Sequence, residues 1–373
     1  MVKAMRIGID ASRAFGEQRT GTEEYSYQII KHLLALPQAR EHEWILYVRP
    51  NLKFLNQTSF ALSRANFKFQ IINLPYLWTQ LGLAARTWVD KLDVLWIPAH
   101  TLPVVRQAGL RTVVTIHGLE YEWLPEYSNW LQAWYLPLST QYAVLSAGKI
   151  IAVSEFTKWQ LVERLEAEEK KISVIHEGVS RTGLHPAHRG EQPYLLFIGT
   201  IQPRKNLQRL IEAFAILKSQ IPNLNLKLVI AGKLGWMYDE VLAAPKKWGV
   251  EDKVVFTGYI NEAERNSLLR NARVYVQPSI TEGFGLPVLE AMVFGVPVVS
   301  SQGGALKEII NIHYPMSNKI LFDPYDVKDM VDKISLVLRD QRLRKEMIIA
   351  GRKLKFSWDE AAERTYKILN SKF

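Results

Sequence analysis

The chain has 373 residues, of which 48% are hydrophobic and 23% charged, with a formal charge of +10 and no cysteine. This length accommodates two cores of roughly 150 to 200 residues each, and the missing thiols exclude a disulfide framework, a thiolate zinc site and a cysteine nucleophile. The basic surplus, +3 before Glu177 and +7 from there on, suits a phosphorylated ligand or an anionic surface, but the lysines and arginines are scattered and form no nucleic-acid-binding pattern.

Met5 to Ile9 reads as a first strand, and nothing from Met1 onward has the apolar stretch and cleavage site of a signal peptide. The longest apolar run, Tyr142 to Val153, is broken by Ser146, Gly148 and Lys149 and falls short of the roughly 20 residues that span a bilayer. A cytoplasmic location is therefore expected.

A helix follows from about Thr22 to Leu36, its apolar stripe formed by Tyr25, Ile29, Ile30, Leu33 and Leu34. Arg19-Thr20-Gly21-Thr22-Glu23-Glu24 leads into it, with Thr20 and Glu23 at capping-box spacing. Gly21 would let that helix end face a phosphate, although an ordinary capped loop fits the same residues. Further strands are expected at Asp93–Ile97, Thr112–Ile116, Lys149–Val153 and Ile172–Ile175. His117 closes one of them and His100 follows another, positions where a histidine is either structural or functional. Between Glu177 and Gln192 the pattern lapses into a polar stretch with Gly178, Gly183, Pro186 and Gly190, the best linker candidate.

A second series then begins, with strands at Tyr194–Ile198, Leu226–Ala231, Lys253–Phe256, Val274–Gln277 and Val296–Ser300 and a helix at Asn206–Ser219. The last segment, Trp358 to Leu369, reads as an amphipathic helix that crosses back to the first half. Strands alternating with helices are the signature of parallel sheets covered by helices. The expected class is α/β, with two Rossmann-like domains at 1–177 and 178–355 and a returning helix at 356–373.

The sharpest cluster is Glu282-Gly283-Phe284-Gly285-Leu286-Pro287-Val288-Leu289-Glu290. It sets two glutamates eight positions apart across a glycine loop that enters a helix, with Pro287 as the first helical residue. Gly283 and Gly285 allow close backbone approach, and the helix end offers N–H groups and a positive dipole to an anion. Glu282 can accept from sugar hydroxyls, and Glu290, a turn further on, from ribose hydroxyls. Gly199-Thr200-Ile201-Gln202-Pro203-Arg204-Lys205-Asn206 follows the first strand of the second half, where open α/β sheets bind ligands. Arg204 and Lys205 supply a fork and a point charge for a diphosphate. Alone, such a pair is equally a solvated helix start.

Absent motifs narrow the choice. Gly148-Lys149 lacks the upstream glycine of a P-loop, no Gly-x-Gly-x-x-Gly opens the first helix, and no Asp-x-Asp occurs. No metal and no cofactor are expected, so a leaving diphosphate would be met by Arg204, Lys205 and helix termini.

Taken together, these strings resemble the retaining glycosyltransferases of family 4, which have the GT-B fold of two Rossmann-like domains whose parallel sheets face a central cleft. The resemblance spans nearly the whole chain. Glu282 and Glu290 match the family's Glu-x7-Glu motif, Arg204 and Lys205 its diphosphate pair, Thr20-Gly21-Thr22 its N-terminal glycine loop, and His117 its donor-sugar histidine. Phe356-Ser357-Trp358 matches the opening of the returning helix. Ile151-Ala152-Val153-Ser154-Glu155-Phe156-Thr157 and Val174-Ile175-His176-Glu177-Gly178-Val179 fit its domain-end patterns. The resemblance implies that His117, Arg204, Lys205 and Glu282 act on the transferred group. It further implies that Gly21, Thr22, Gly199, Phe284, Gly285, Leu286 and Glu290 bind the nucleotide sugar, with Gly258 and Tyr259 framing the base. Two departures are Gly118, where many relatives have Asp, and Glu177, where Asn is common.

An enzyme of this kind would move a hexose from a nucleotide-diphosphate sugar, UDP-glucose first and GDP-mannose second, to a hydroxyl of a saccharide or lipid-linked saccharide. Arginine before Thr-Gly-Thr also occurs in mannosyltransferases. Retention through a glycosyl-enzyme needs a carboxylate nucleophile that the sequence does not supply. Relatives are thought to let the acceptor attack on the face the diphosphate leaves. The rival from another class is a nucleotide-sugar 2-epimerase of the same architecture, and a sugar-nucleotide binding module is a third reading. Tyr121, Trp123, Trp130, Trp134 and Tyr135 crowd one segment, and such amphipathic aromatics suit a bilayer interface, a stacked sugar or a packed helix face. Weak, salt-sensitive attachment at the inner membrane face is expected from them.

Overall fold

The computed structural model describes residues 4–16, 19–50, 66–119, 130–181, 193–221 and 225–371, apart from the side chains of 130–134, 136 and 313. Tyr121, Trp123, the side chains of Trp130 and Trp134, and residues 182–192 of the expected linker lie outside this set. The chain divides into two compact units, one of residues 1–178 with 356–373 and the other of residues 179–355.

In the first unit the strands are β1 (Arg6–Asp10), β2 (Glu43–Val48), β3 (Asn66–Ile71), β4 (Val94–Ile97), β5 (Arg111–Ile116), β6 (Lys149–Ala152) and β7 (Ile172–Val174). They form one parallel sheet in the order β3-β2-β1-β4-β5-β6-β7. Helices α1 (Gly21–Ala35), α2 (Ala84–Val89), α3 (Trp130–Ser146) and α4 (Glu155–Leu165) connect them, with a π-helical turn at Trp78–Leu83. Parallel strands covered on both faces read as continuous apolar runs, and Ile7, Ile9, Leu95, Trp96, Val113 and Val114 are fully buried. The sequence reading did not name β2 and β3. In β3 Phe67, Phe69 and Ile71 alternate with polar residues, as befits an edge whose Lys68 pairs with Glu43 at 2.9 Å.

The second unit contains β8 (Tyr194–Ile198), β9 (Lys227–Ala231), β10 (Val254–Gly258), β11 (Val274–Gln277), β12 (Val298–Ser301) and β13 (Leu321–Phe322) in the order β10-β9-β8-β11-β12-β13, again all parallel. Its helices are α5 (Leu207–Gln220), α6 (Asp239–Lys247), α7 (Glu262–Asn271), α8 (Leu286–Val293), α9 (Leu306–His313), α10 (Val327–Arg339) and α11 (Gln341–Arg352). Helix α5 buries Leu207, Leu210, Ile211, Phe214 and Leu217, the i, i+3, i+4, i+7 stripe of a helix on a sheet. Truncating Phe214 to alanine would cost about 3–5 kcal/mol. Strand β12 starts two residues later than the sequence suggests. Val296 donates its N–H to Ala291 O at 2.9 Å, and Pro297 has no N–H for a ladder.

Helix α12 (Trp358–Asn370) belongs to the first unit and packs on α1. Ser357 caps it, accepting from the Asp359 N–H at 3.2 Å. Trp358 is buried with its ring 5.9 Å from that of Tyr25, and His42 Nε2 meets the Tyr366 hydroxyl at 2.9 Å. A side chain at Gly178 would put its Cβ 2.2 Å from Trp358 N, so the glycine lets the chain pass directly beneath the helix start.

Candidate active site

Both sheets reverse strand order beside their first strand, and open α/β sheets bind ligands beyond the strand ends at such a switch point. In the second unit the reversal lies between β8 and β11, and the segments leaving these two strands carry Arg204, Lys205 and Glu282. Pro203–Lys205 forms a 3-10 turn that Asn206 ends in the left-handed region, with φ 57. The Asn206 amide donates to Pro278 O at 3.0 Å and Pro324 O at 2.7 Å, while Arg204 O accepts from Ile280 N at 2.8 Å. The turn is thus pinned to the segment that precedes Glu282.

Lys205 Nζ lies 2.5 Å from Glu282 Oε1 and Arg204 Nη1 lies 2.8 Å from Oε2, all three side chains being buried. Gln277 Nε2 and the Ser279 hydroxyl also donate to Oε1, at 2.8 and 2.6 Å, and Arg204 Nη1 reaches Thr281 O at 3.1 Å. Burial alone would raise the Glu282 carboxyl, but Lys205 and Arg204 outweigh it and hold the group down at about 2. One carboxylate is shared here by two fixed cations, a donor set of the kind that also suits an anionic group. Oε1 accepts from three donors, whereas Oε2 accepts from Arg204, so a hydroxyl of a bound sugar would approach Oε2.

Gly285 caps helix α8 with φ 101, where an added Cβ would lie 2.7 Å from Leu306 Cδ2. Pro287 is the second helical residue, one place later than expected, because Leu286 already has helical geometry. Phe284 and Leu286 are buried. Glu290 is also buried and pairs with Arg265 of α7 at 2.8 Å. Gly199 ends β8 with its N–H already given to Ala231 O at 2.9 Å, so its amide is a loop fastener here. Tyr259 follows β10 and is exposed.

Several residues of this site were given no functional role in the sequence reading. Gln277 and Ser279 were legible only as polar residues closing an apolar strand. Gly303 and Gly304 carry a turn signal after β12, and their importance is steric. At Gly304, with φ 61, a Cβ would stand 2.3 Å from Glu282 O, and Ala305 N donates to that same oxygen at 2.9 Å.

In the first unit the reversal lies between β1 and β4. A pocket of about 400 Å³ opens there, lined among others by Asp10, Arg13, Glu23, Arg49, Trp78 and Thr101. Two carboxylates and two guanidiniums make it polar yet near neutral. Burial raises the Asp10 carboxyl, against its bonds from Ser12 and the nearby Arg13 and Arg49. The Arg49 guanidinium lies 5.4 Å from the Trp78 ring centroid, and the buried indole N–H of Trp78 has no hydrogen-bond partner among the described residues. Of these pocket residues the sequence reading named Glu23 alone, as a helix cap, and it had no motif for Asp10, Arg13, Arg49, Trp78 or Thr101.

The glycine loop forms its capping box, with Glu23 accepting from Thr20 N at 3.3 Å. An added Cβ at Gly21 would meet nothing within 4 Å, so packing gives no reason for glycine there, and Thr22 opens the helix beside it. His117 is buried between Glu177, 3.3 Å from Nδ1, and Pro98 O, 3.0 Å from Nε2. Tyr25 meets its ring edge-on and His100 stacks at 5.9 Å. Glu177, noted above as a departure, therefore orients His117. Burial, then His117 and Arg13, depress His100 to about 3.

Residues 20–182 match the model of glycosyltransferase family 4, and residues 185–354 match that of the glycosyl transferases group 1. The chain is 30% identical over 322 residues to the uncharacterized glycosyltransferase YqgM of Bacillus subtilis, covering 84% of this chain and 86% of that protein. It is 29% identical over 276 residues to the O-antigen chain mannosyltransferase B of Escherichia coli, covering 69% and 71%. Among solved structures it superposes on Anabaena HepE, crystallised with UDP and glucose, with a TM-score of 0.73 at 17% identity over the whole of both chains.

Proposed function

Because the chain belongs to the group 1, family 4 glycosyltransferases, enzymes of the GT-B fold, we propose that it is a retaining, metal-independent hexosyltransferase. Its donor is a nucleotide-diphosphate sugar and its acceptor a hydroxyl of a saccharide or lipid-linked saccharide. The observation that carries the reading is the buried cluster in which Arg204 and Lys205 share Glu282 at 2.8 and 2.5 Å. A pyrophosphate at this cluster finds fixed cations in place of a divalent ion, and they cost no reorganisation as charge develops on the leaving group.

In this mechanism the acceptor hydroxyl attacks the anomeric carbon on the face that the diphosphate vacates. The bond from that carbon to the phosphate oxygen breaks, the hydroxyl proton passes to a phosphate oxygen, and the nucleoside diphosphate leaves. Arg204 and Lys205 neutralise it, Glu282 Oε2 orients the sugar, and Glu290 takes the ribose once Arg265 yields. His117, held by Glu177, contributes to the donor sugar. The neutral, polar pocket at Asp10, Arg49 and Trp78 receives the acceptor.

The mannosyltransferase relative moves the donor preference to mannose, as a GDP sugar, ahead of the UDP-glucose suggested by sequence. Family membership favours transfer over the epimerase reading, and incubation with donor alone separates the two, since an epimerised sugar would support the rival. We also extend the reading to weak association with a membrane surface. The decisive variant is Arg204→Ala, which should lower turnover about 100-fold or more while circular dichroism stays unchanged. Turnover within a few-fold of wild type would refute the role of the cluster.

A further inference from the structure

The pocket beside β1 and β4 leaves hydrogen-bonding capacity open. Its charged lining residues are Asp10, Arg13, Glu23 and Arg49. Arg13 is engaged by Glu23, with Nη1 3.5 Å from Oε1. Asp10 and Arg49 feel each other's charge but form no ion pair with one another or with any described residue, and Asp10 takes its bonds from Ser12, whose N–H it accepts at 3.0 Å. A carboxylate and a guanidinium that line one cavity without closing on each other call for hydrogen-bonding groups between them.

Trp78 adds a third open group. It is 3% exposed and its indole N–H has no partner among the described residues, whereas buried polar groups are hydrogen-bonded as a rule. Arg49 lies over the ring, 5.4 Å from its centroid, so that face is closed to a stacked ligand and the N–H is what Trp78 has left to offer. The backbone is bent to bring this group in. Trp78 and Thr79 open the π-helical turn Trp78–Leu83, which is entered through Leu77 in the left-handed region at φ 51. At Gly82 an added Cβ would lie 2.5 Å from Ile72 Cγ2. π-Helical turns are rare and concentrate at functional sites, and a leucine at positive φ carries strain that the surrounding structure must impose. A connection that only joined β3 to β4 would need neither.

We infer that this pocket recognises an uncharged sugar unit of the acceptor, with the Asp10 carboxylate accepting from one hydroxyl and the Arg49 guanidinium and the Trp78 indole N–H donating to hydroxyl oxygens. Hydroxyls both donate and accept, so a sugar satisfies all three groups at once. An anionic unit, such as a uronate or a phosphosugar, would satisfy Arg49 and be set against Asp10. Asp10 decides that contest because it sits deeper: Arg49 is exposed, where solvent screens it, and Asp10 is half-buried. A volume of about 400 Å³ is at the small end of ligand pockets, which suits a sugar unit rather than a large aglycone. Calling that sugar an acceptor rests on the transferase reading above, whereas its binding to these three groups requires no donor.

The test is saturation-transfer NMR of the full chain with methyl α-mannopyranoside and methyl α-glucopyranoside, the neutral probes, and with methyl α-glucuronopyranoside, which carries a carboxylate in place of the glucoside's hydroxymethyl group. Wild-type protein should bind the neutral probes about tenfold or more tightly than the glucuronide. Asp10→Asn, the same shape without the charge, should weaken the neutral probes about tenfold and abolish the discrimination against the glucuronide, which a merely structural role for Asp10 would leave standing. Trp78→Phe and Arg49→Gln should each weaken the neutral probes several-fold, with unchanged melting as the check on folding. If Asp10→Asn melts early, Arg49→Gln, on an exposed side chain, still decides. Equal or tighter binding of the glucuronide by wild type, no binding of either neutral probe, or unchanged affinity in Asp10→Asn and Arg49→Gln would overturn the assignment. A chain that binds GDP or UDP but neither neutral probe would lose the sugar pocket and keep the transferase reading, whereas neutral probes bound without either nucleotide would keep the pocket and sink that reading.

Discussion

Glu282→Gln keeps the shape of the side chain and removes its charge, which leaves Arg204 and Lys205 buried around a neutral amide. The carboxyl sits at about 2 against an ordinary 4.5, a difference worth about 3 kcal/mol of folding stability, in line with the roughly 3–5 kcal/mol lost when a buried pair is broken from one side. For a domain of this size a loss of about 3 kcal/mol corresponds to a fall in Tm of roughly 6–12 °C. The sign with pH is fixed. A depressed carboxyl stabilises fully above about 4.5 and loses its contribution as pH falls through about 2, so the gap between wild type and variant should be constant near neutrality and close in acid. A nucleoside diphosphate should narrow the gap as well, because its phosphates supply the missing counter-charge. Differential scanning fluorimetry of both proteins from pH 7.5 downward, with and without GDP or UDP, reads all three effects. A variant melting within about 1 °C of wild type, or one that GDP and UDP stabilise less than wild type, would refute the electrostatic account.

Three further outcomes follow from the geometry. Gly304→Ala places a Cβ 2.3 Å from Glu282 O at φ 61, so the segment carrying Glu282 must shift; donor KM should rise about tenfold or more and Tm fall by several degrees, and unaltered donor kinetics would count against the placement. His100, depressed from 6.5 to about 3, refuses a proton that the unfolded chain accepts, so the folded protein should lose stability as pH drops from about 6.5 toward 3. His100→Gln should flatten that loss in urea titrations at pH 7 and 5, and equal slopes would contradict it. Trp78→Phe removes an indole N–H that has no partner among the described residues; stability should hold, while acceptor KM rises and donor KM does not, as steady-state kinetics would show.

Much of the fold was legible because buried parallel strands spell themselves as apolar runs. Tyr194–Ile198 and Val274–Gln277 coincide with β8 and β11. The edges were less so: β3 is half polar and β13 has two residues, too few to show a period. The site divides along the same line. Arg204, Lys205, Glu282 and Glu290 stand in local strings whose chemistry can be read in order, and Arg204, Lys205 and Glu282 meet within 2.8 Å. What completes them is not local. Asn206 bonds to Pro278 and Pro324, Gly304 abuts Glu282, and Arg265 answers Glu290 from another helix. The pocket at Asp10, Arg49 and Trp78 draws on segments after four different strands, and no run of sequence contains it.

The most direct measurement of the central claim is isothermal titration of GDP and UDP, in EDTA, into wild-type protein and into Arg204→Ala with Lys205→Ala. Cationic side chains acting where other enzymes use a divalent ion predict tight, saturable binding to the wild type and a loss of about 100-fold or more in the double variant. Binding that begins only when magnesium is added, or that survives the double substitution unchanged, would contradict it.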